Sequence, residues 1–160
     1  MAWWKSLPTS GRTFLRLTAG DRREFVLASL LLPTTALAFR CLGFRRWQAT
    51  LERWAPRSAT VGSDADATAK VLRTAWLVRT AARFVAGRES CLAQALVLWW
   101  LLRRRGFESE LRIGVRKRGD QLQAHAWVEY RDLVLNDRGD ELSPYLSFDR
   151  AIVPLESSSA

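Results

Sequence analysis

The chain has 160 residues, which suits one compact domain with a helical arm and leaves little room for a second independent core, and its 48% apolar content excludes global disorder. The net charge of +9 is uneven: residues 1–60 carry ten Lys/Arg against three Asp/Glu, and residues 61–160 carry fifteen against thirteen. The basic N-terminal third suits an acidic protein, an anionic surface or a solvated arginine face, and no zinc-finger, homeodomain or RNP-type pattern supports nucleic acid.

Residues 1–11 read as a loose tail ending in the turn cluster Pro8-Thr9-Ser10-Gly11. Asp21, with Glu24 three residues later, has the arrangement of a capping box, and the helix it opens is expected to yield at Pro33. A second helix then covers about Thr35–Leu42 and stops near Gly43. Phe25–Phe39 carries no formal charge, but its fifteen residues fall short of the roughly 20 that a bilayer-crossing helix needs. A secretory signal ending at Ala36-Leu37-Ala38 is disfavoured by Asp21, Glu24 and Pro33, so a buried or partner-facing helix pair without stable membrane insertion is expected. Phe44–Trp54 forms a third helix, with Phe44, Trp47, Leu51 and Trp54 on one face.

Residues 55–67, with Pro56, Ser58, Gly62, Ser63, Asp64 and Asp66, read as a linker. Asp66 or Thr68 then caps a helix over about Ala69–Ala86 that Gly87 ends. Ser90 caps the next, Cys91–Arg105, whose Leu92, Ala95, Leu96, Trp99 and Leu102 point inward. Arg103–Arg105 suit its dipole, and Gly106 is its left-handed C-terminal residue. Strands follow: Glu110–Arg118, a turn at Gly119-Asp120, Gln123–Tyr130, and a short Leu133–Asp137 after Arg131-Asp132. Ala124, Ala126 and Val128 share one face of the second strand, and His125, Trp127 and Glu129 the other. Helix followed by an antiparallel meander gives an α+β domain, divided as an N-terminal helical region over residues 1–60, a core over 61–155 and a tail over 156–160.

Cys41 and Cys91 do not make a disulfide scaffold, and they lack the spacing of a zinc site with the single histidine, His125. No metal and no cofactor is expected. The eight tryptophans read first as core and interface filler. A cysteine is most often a small buried apolar residue, but Cys91 opens a helix, where unpaired N–H groups and the positive dipole end stabilise a thiolate. His125 is the one histidine able to act as its base, and a carboxylate at Asp137 can orient that imidazole. Taken singly, each is as readily a structural group. Their order, helix-start Cys, strand His, next-strand Asp, spaced 34 and 12 apart, resembles that of cysteine peptidases and transglutaminases. The even spacing from His125 to Asp137 would put them on opposite faces across a plain two-residue hairpin, so a triad requires an odd-length turn or a bulge between Tyr130 and Asp137.

The stretches Cys91-Leu92-Ala93-Gln94-Ala95-Leu96, Trp99–Phe107, Glu110–Lys117, Ala124-His125-Ala126-Trp127-Val128-Glu129 and Leu135-Asn136-Asp137 closely resemble the lasso-peptide leader peptidases, the transglutaminase-like B-protein proteases. Phe14–Trp54, with Leu42-Gly43-Phe44-Arg45-Arg46, resembles their N-terminal region less specifically. The resemblance implies a papain/transglutaminase-like core, with the helix that bears Cys91 packed on an antiparallel sheet and an N-terminal helical region before it. It implies a cytoplasmic cysteine protease that removes the leader of a lasso-peptide precursor, with Cys91 as nucleophile, His125 as base and acid, and Asp137 as orienter. Its partners would be the precursor peptide, a separate leader-recognition protein and an ATP-dependent lasso cyclase, and the basic excess of residues 1–60 suits the N-terminal helices as a docking surface for the leader or for that protein. Residues 1–60 read as helices without the strands of a winged-helix-like leader-binding domain, which resembles the split form of the family. Gln94 stands where relatives often carry a basic residue. Two alternatives use the same sequence: an acyltransferase built on the same three residues, and a non-catalytic scaffold that holds the precursor.

Overall fold

The computed structural model describes residues 17–54, 64–85, 91–118, 121–137 and 146–147. Among these residues four helices, α1 (Ala19–Cys41), α2 (Phe44–Trp54), α3 (Asp64–Val85) and α4 (Cys91–Arg104), precede four strands, β1 (Glu110–Arg118), β2 (Gln121–Tyr130), β3 (Leu133–Val134) and β4 (Leu146–Ser147). The sheet is antiparallel, in the order β3-β2-β1-β4. The fold is α+β: a central helix packed on an antiparallel sheet, with a helical N-terminal region behind it. The expected tail at residues 1–11, the Gly87 stop, the Ser90 cap, the Gly119-Asp120 turn and the tail at 156–160 lie outside the described residues, as does 55–63 of the expected linker.

The cap of α1 is Thr18, three residues before the expected Asp21. Its hydroxyl accepts from the Asp21 N–H at 3.2 Å, and the Asp21 carboxylate accepts from the Thr18 N–H at 3.4 Å. Asp21 is therefore the reciprocal partner of the capping box, and Glu24 is released for another contact. Arg105 Nη1, beyond the end of α4, lies 2.9 Å from the Glu24 carboxylate and donates to Thr74 Oγ1 of α3 at 2.7 Å, tying three helices together. Burial pushes the Glu24 carboxyl up from its ordinary value, against the opposing pull of Arg105 and Thr74.

Pro33 does not end the helix, contrary to expectation, because α1 runs unbroken through it. The missing N–H and the ring's clash with the Ser29 carbonyl cost about 3 kcal/mol. Against this, Ala28 and Leu32 before the proline and Thr35 and Ala38 after it are all buried on one line against α3 and α4. Stopping at Pro33 would leave Thr35 and Ala38 unpacked, and with them the hydrogen bond that Thr35 accepts from Trp47 and the contact of Phe39 with the core. The resulting helix is 23 residues long, longer than the fifteen uncharged ones suggested, and is apolar enough to cross a membrane by length and composition. Its opposite face exposes Val26, Leu30 and Leu37.

Gly43, at φ +78°, turns the chain into α2. Leu51 is buried on α2, and Phe44 and Trp47 pack against the core, but Trp54 is exposed and Gln48 takes the inward place. Trp54 is the last residue of the helix, beyond the contact in which Trp100 Nε1 donates to the Leu51 carbonyl at 2.9 Å. At the other end, half-buried Trp47 donates through Nε1 to the fully buried Thr35 hydroxyl at 3.1 Å, so two indole N–H groups fix α2 to α1 and α4.

Helix α3 starts at Asp64, inside the stretch expected to be linker, and ends at Val85. Helix α4 is the hub. Every residue from Ala95 to Leu102 is buried, because α4 contacts both long strands on one side and α1, α2 and α3 on the other. A helix apolar on all sides is a core helix, so the single inward stripe expected for it undercounts its burial. It ends as expected, with Gly106 at φ +82°, and the Gly106 N–H bonds to the Arg103 carbonyl while the Phe107 N–H bonds to Leu102, both at 3.0 Å. The core cluster is continuous from Ala28, Leu32 and Leu51 through α3 and α4 to Ala126, Val128 and Leu135.

Candidate active site

Cys91 is the first residue of α4, which opens beside the edge of β2. What that edge offers depends on how β3 ends. The turn at Arg131-Asp132 has two residues, both with positive φ (46° and 65°), so it is the plain hairpin and not the odd-length turn a triad was expected to need. Pairing stays in register through Tyr130↔Leu133 and Glu129↔Val134, and the Leu135 N–H still reaches the Val128 carbonyl at 3.0 Å. The strand then leaves the ladder, three residues short of the expected end at Asp137.

Asn136 makes that departure possible. Its Oδ1 accepts from the Val128 N–H at 2.7 Å and its Nδ2 donates to the Ala126 carbonyl at 3.4 Å. One side-chain amide thus replaces the backbone groups that a continuing strand would have supplied, and the edge of β2 stays satisfied without β3. Freed from register, the next residue swings to the face of β2 on which it would otherwise not lie, and the Asp137 carboxylate hydrogen-bonds His125 Nε2. The parity conflict is resolved by a side-chain stand-in for a strand, with neither a bulge nor an odd turn.

The same gap serves the cysteine. The Cys91 sulfur accepts from the Ala126 N–H on the uncovered edge, accepts from the Leu92 N–H of its own helix, and hydrogen-bonds the His125 ring. With Nε2 taken by Asp137, Nδ1 is the nitrogen left for sulfur. Cys91, His125 and Asp137 are therefore brought together, each only partly buried, with the imidazole between thiol and carboxylate. Gly114 is the register partner of His125 on β1 and presents no side chain against the ring.

The electrostatics favour a charged pair. Burial alone would raise the Cys91 thiol, but the His125 hydrogen bond, the Ala126 and Leu92 N–H groups and the imidazolium charge outweigh it and hold the thiol below its ordinary value. His125 is raised to about 9, first by its hydrogen bond to Asp137 and then by Cys91, against the opposing effect of burial. A thiol held down beside an imidazole held up to about 9 pairs a nucleophile with a proton donor, suited to attack on an acyl carbon followed by protonation of the leaving group. Among the described residues, no group of three or more His, Cys, Asp or Glu could hold a metal ion. A cavity of about 750 Å³, lined by Arg103, Ser109, Arg112 and Glu129 among others, lies at the other end of α4, about 18 Å from Cys91 by helical rise.

Two contributors escaped the sequence reading: Asn136 and the Ala126 N–H. The even His–Asp spacing was the one signal for Asn136, since it demanded some irregularity where an Asn precedes the Asp. No curated protein and no solved structure matches the chain. The family description "Transglutaminase-like superfamily" matches residues 35–148, a span that includes Cys91, His125 and Asp137 together with the last seven residues of α1. Proteins of that superfamily are generally cysteine peptidases or acyltransferases. On a match covering more than two thirds of its length, this chain belongs to the transglutaminase-like superfamily.

Proposed function

We propose that this chain is a cysteine endopeptidase of the cytoplasm that removes the leader from a lasso-peptide precursor. The observation that carries the chemistry is the Cys91 sulfur at the start of α4, hydrogen-bonded to an imidazole that Asp137 holds from its far side. Support for the lasso-peptide substrate comes from the likeness of the motifs between Glu89 and Asp137 to the leader peptidases. In this reading the Cys91 thiolate attacks the carbonyl of the last leader residue. Imidazolium at His125 gives its proton to the departing amine of the core peptide, which leaves the leader as a thioester. Water, deprotonated by His125, then hydrolyses that thioester and regenerates the thiol. The Cys91 backbone N–H is one donor to the oxyanion, a contribution on the order of 3 kcal/mol.

Incubation with candidate precursor peptides and the leader-binding partner, followed by mass spectrometry, tests the reading. The expected products are a free leader and a core peptide with a new N-terminal amine. Precursor left intact by the wild-type protein sinks the proposal. A leader bearing an added amine in place of water would identify acyl transfer instead.

The separate leader-recognition protein would dock on α1 and α2, where exposed Val26, Leu30 and Leu37 lie on elements that also expose Arg22, Arg23, Arg45 and Arg46. An apolar strip with a basic rim suits a partner with an acidic rim of its own. Changing the four arginines to glutamate is expected to weaken partner binding at least about tenfold, mostly through association rate and salt dependence. An unchanged Kd by calorimetry would remove this surface from consideration.

A further inference from the structure

The His125 ring has a neighbour outside the Cys–His–Asp row. Trp127, two residues along β2 and on the same face, lies nearly parallel to the imidazole, with centroids 6.3 Å apart and planes 18° from each other. The indole is 4% exposed, so its N–H requires a partner. It donates to Glu129 Oε1 at 2.6 Å, and the other oxygen of that carboxylate accepts from Arg112 Nε at 3.2 Å. Arg112 is the register partner of Trp127 on β1, and its Nη2 lies 2.6 Å from the carboxylate of Glu110.

We propose that Arg112 and Glu129 form a positioning clamp which, by fixing the Trp127 indole, sets the plane of the His125 ring between Cys91 and Asp137. The chain of contacts runs from Arg112 to the carboxylate, from the carboxylate to the indole through its N–H, and from the indole to the imidazole, whose plane lies 18° from its own. Both charged side chains remain about a quarter to a third exposed (26% and 31%), where an ion pair adds little net stability. Their leverage is therefore orientational. Misplacement of a reacting group by an ångström costs rate far more than it costs folding. This role deepens the proposed cysteine-peptidase chemistry and rests on it.

The single histidine makes the test direct, because one imidazole proton resonance reports His125 alone. Glu129→Ala, Glu129→Gln and Arg112→Ala would be compared with the wild type in three measurements: the NMR titration of His125, the pH dependence of Cys91 alkylation in a Cys41→Ser background, and kcat and KM for the precursor. For Glu129→Ala, kcat is expected to fall about ten- to a hundredfold with KM unchanged. The His125 midpoint should move down from its wild-type position and the thermal midpoint should stay within a few degrees. Glu129→Gln keeps an acceptor for the indole N–H, so it should recover part of both effects. A His125 titration and an alkylation profile unchanged in Glu129→Ala would overturn the clamp, and so would a loss of kcat that only follows a loss of thermal stability. The titration and alkylation readouts stand even if no precursor is cleaved, so failure of the substrate assignment and failure of the clamp are separable.

Discussion

Replacing Cys91 by alanine is expected to lower precursor cleavage on the order of 10⁶-fold, to background, while leaving the fold intact. The two halves of this expectation have separate causes. Cys91 is only partly buried and occupies the first turn of α4, where alanine is well tolerated and no apolar packing of consequence is lost. Chemically, the other thiol of the chain, Cys41, is an exposed residue at the far end of α1. In a Cys41→Ser background, iodoacetamide should add one label, at Cys91. The pH dependence of that reaction should show a thiol titrating below its ordinary value, because the His125 ring and the Ala126 and Leu92 N–H groups stabilise the thiolate against the cost of burial. Removal of the sulfur should also appear at its partner: Cys91 is the second cause that raises His125, so the histidine resonance in Cys91→Ala should titrate below about 9. Cleavage by Cys91→Ala at the wild-type rate would eliminate Cys91 as the nucleophile.

How far the sequence foretold this site depends on whether the governing forces are local. The end of α4 was legible because Gly106 is needed for a left-handed residue and the arginine run before it suits the dipole, both within one turn. The long hairpin of β1 and β2 was legible because alternation is a period-two signal along the chain. Pro33 misled because its local cost is overridden by Ala28, Leu32, Thr35 and Ala38 finding a common partner surface, which the chain makes only in three dimensions. The shift of the cap from Asp21 to Thr18 has the same origin. Asp21 and Glu24 both fit a first turn, but Glu24 is drawn to Arg105, 81 residues away. The three site residues were legible as types in an order. Their meeting depended on Asn136, whose amide imitates a strand for a single step, and no periodicity in the sequence encodes such a substitution.

Asp137→Asn is expected to reduce kcat on the order of 10²- to 10³-fold, less than the roughly 10⁴-fold known for the carboxylate of a serine triad. In a serine enzyme the base must take a proton from a reluctant hydroxyl during the reaction. Here the nucleophile is a more acidic thiol, held below its ordinary value by its neighbours, and the carboxylate's task is to hold the ring and keep it protonated. Its larger signature should therefore be in the pH profile. In the wild type, activity should rise with pH as Cys91 ionises, at a value held below the ordinary thiol, and fall as His125 loses its proton near about 9. The hydrogen bond to Asp137 is the first cause of the histidine's elevation, so an amide there should bring the alkaline limb down. A less firmly charged imidazole stabilises the thiolate less, so the acid limb should move up. The two limbs belong to a coupled pair and should approach each other, narrowing the active window from both sides. The same two movements should appear without substrate, in the His125 titration and the Cys91 alkylation rate. An Asn variant with unshifted limbs would mean that Asp137, although hydrogen-bonded to the ring, does not govern its charge.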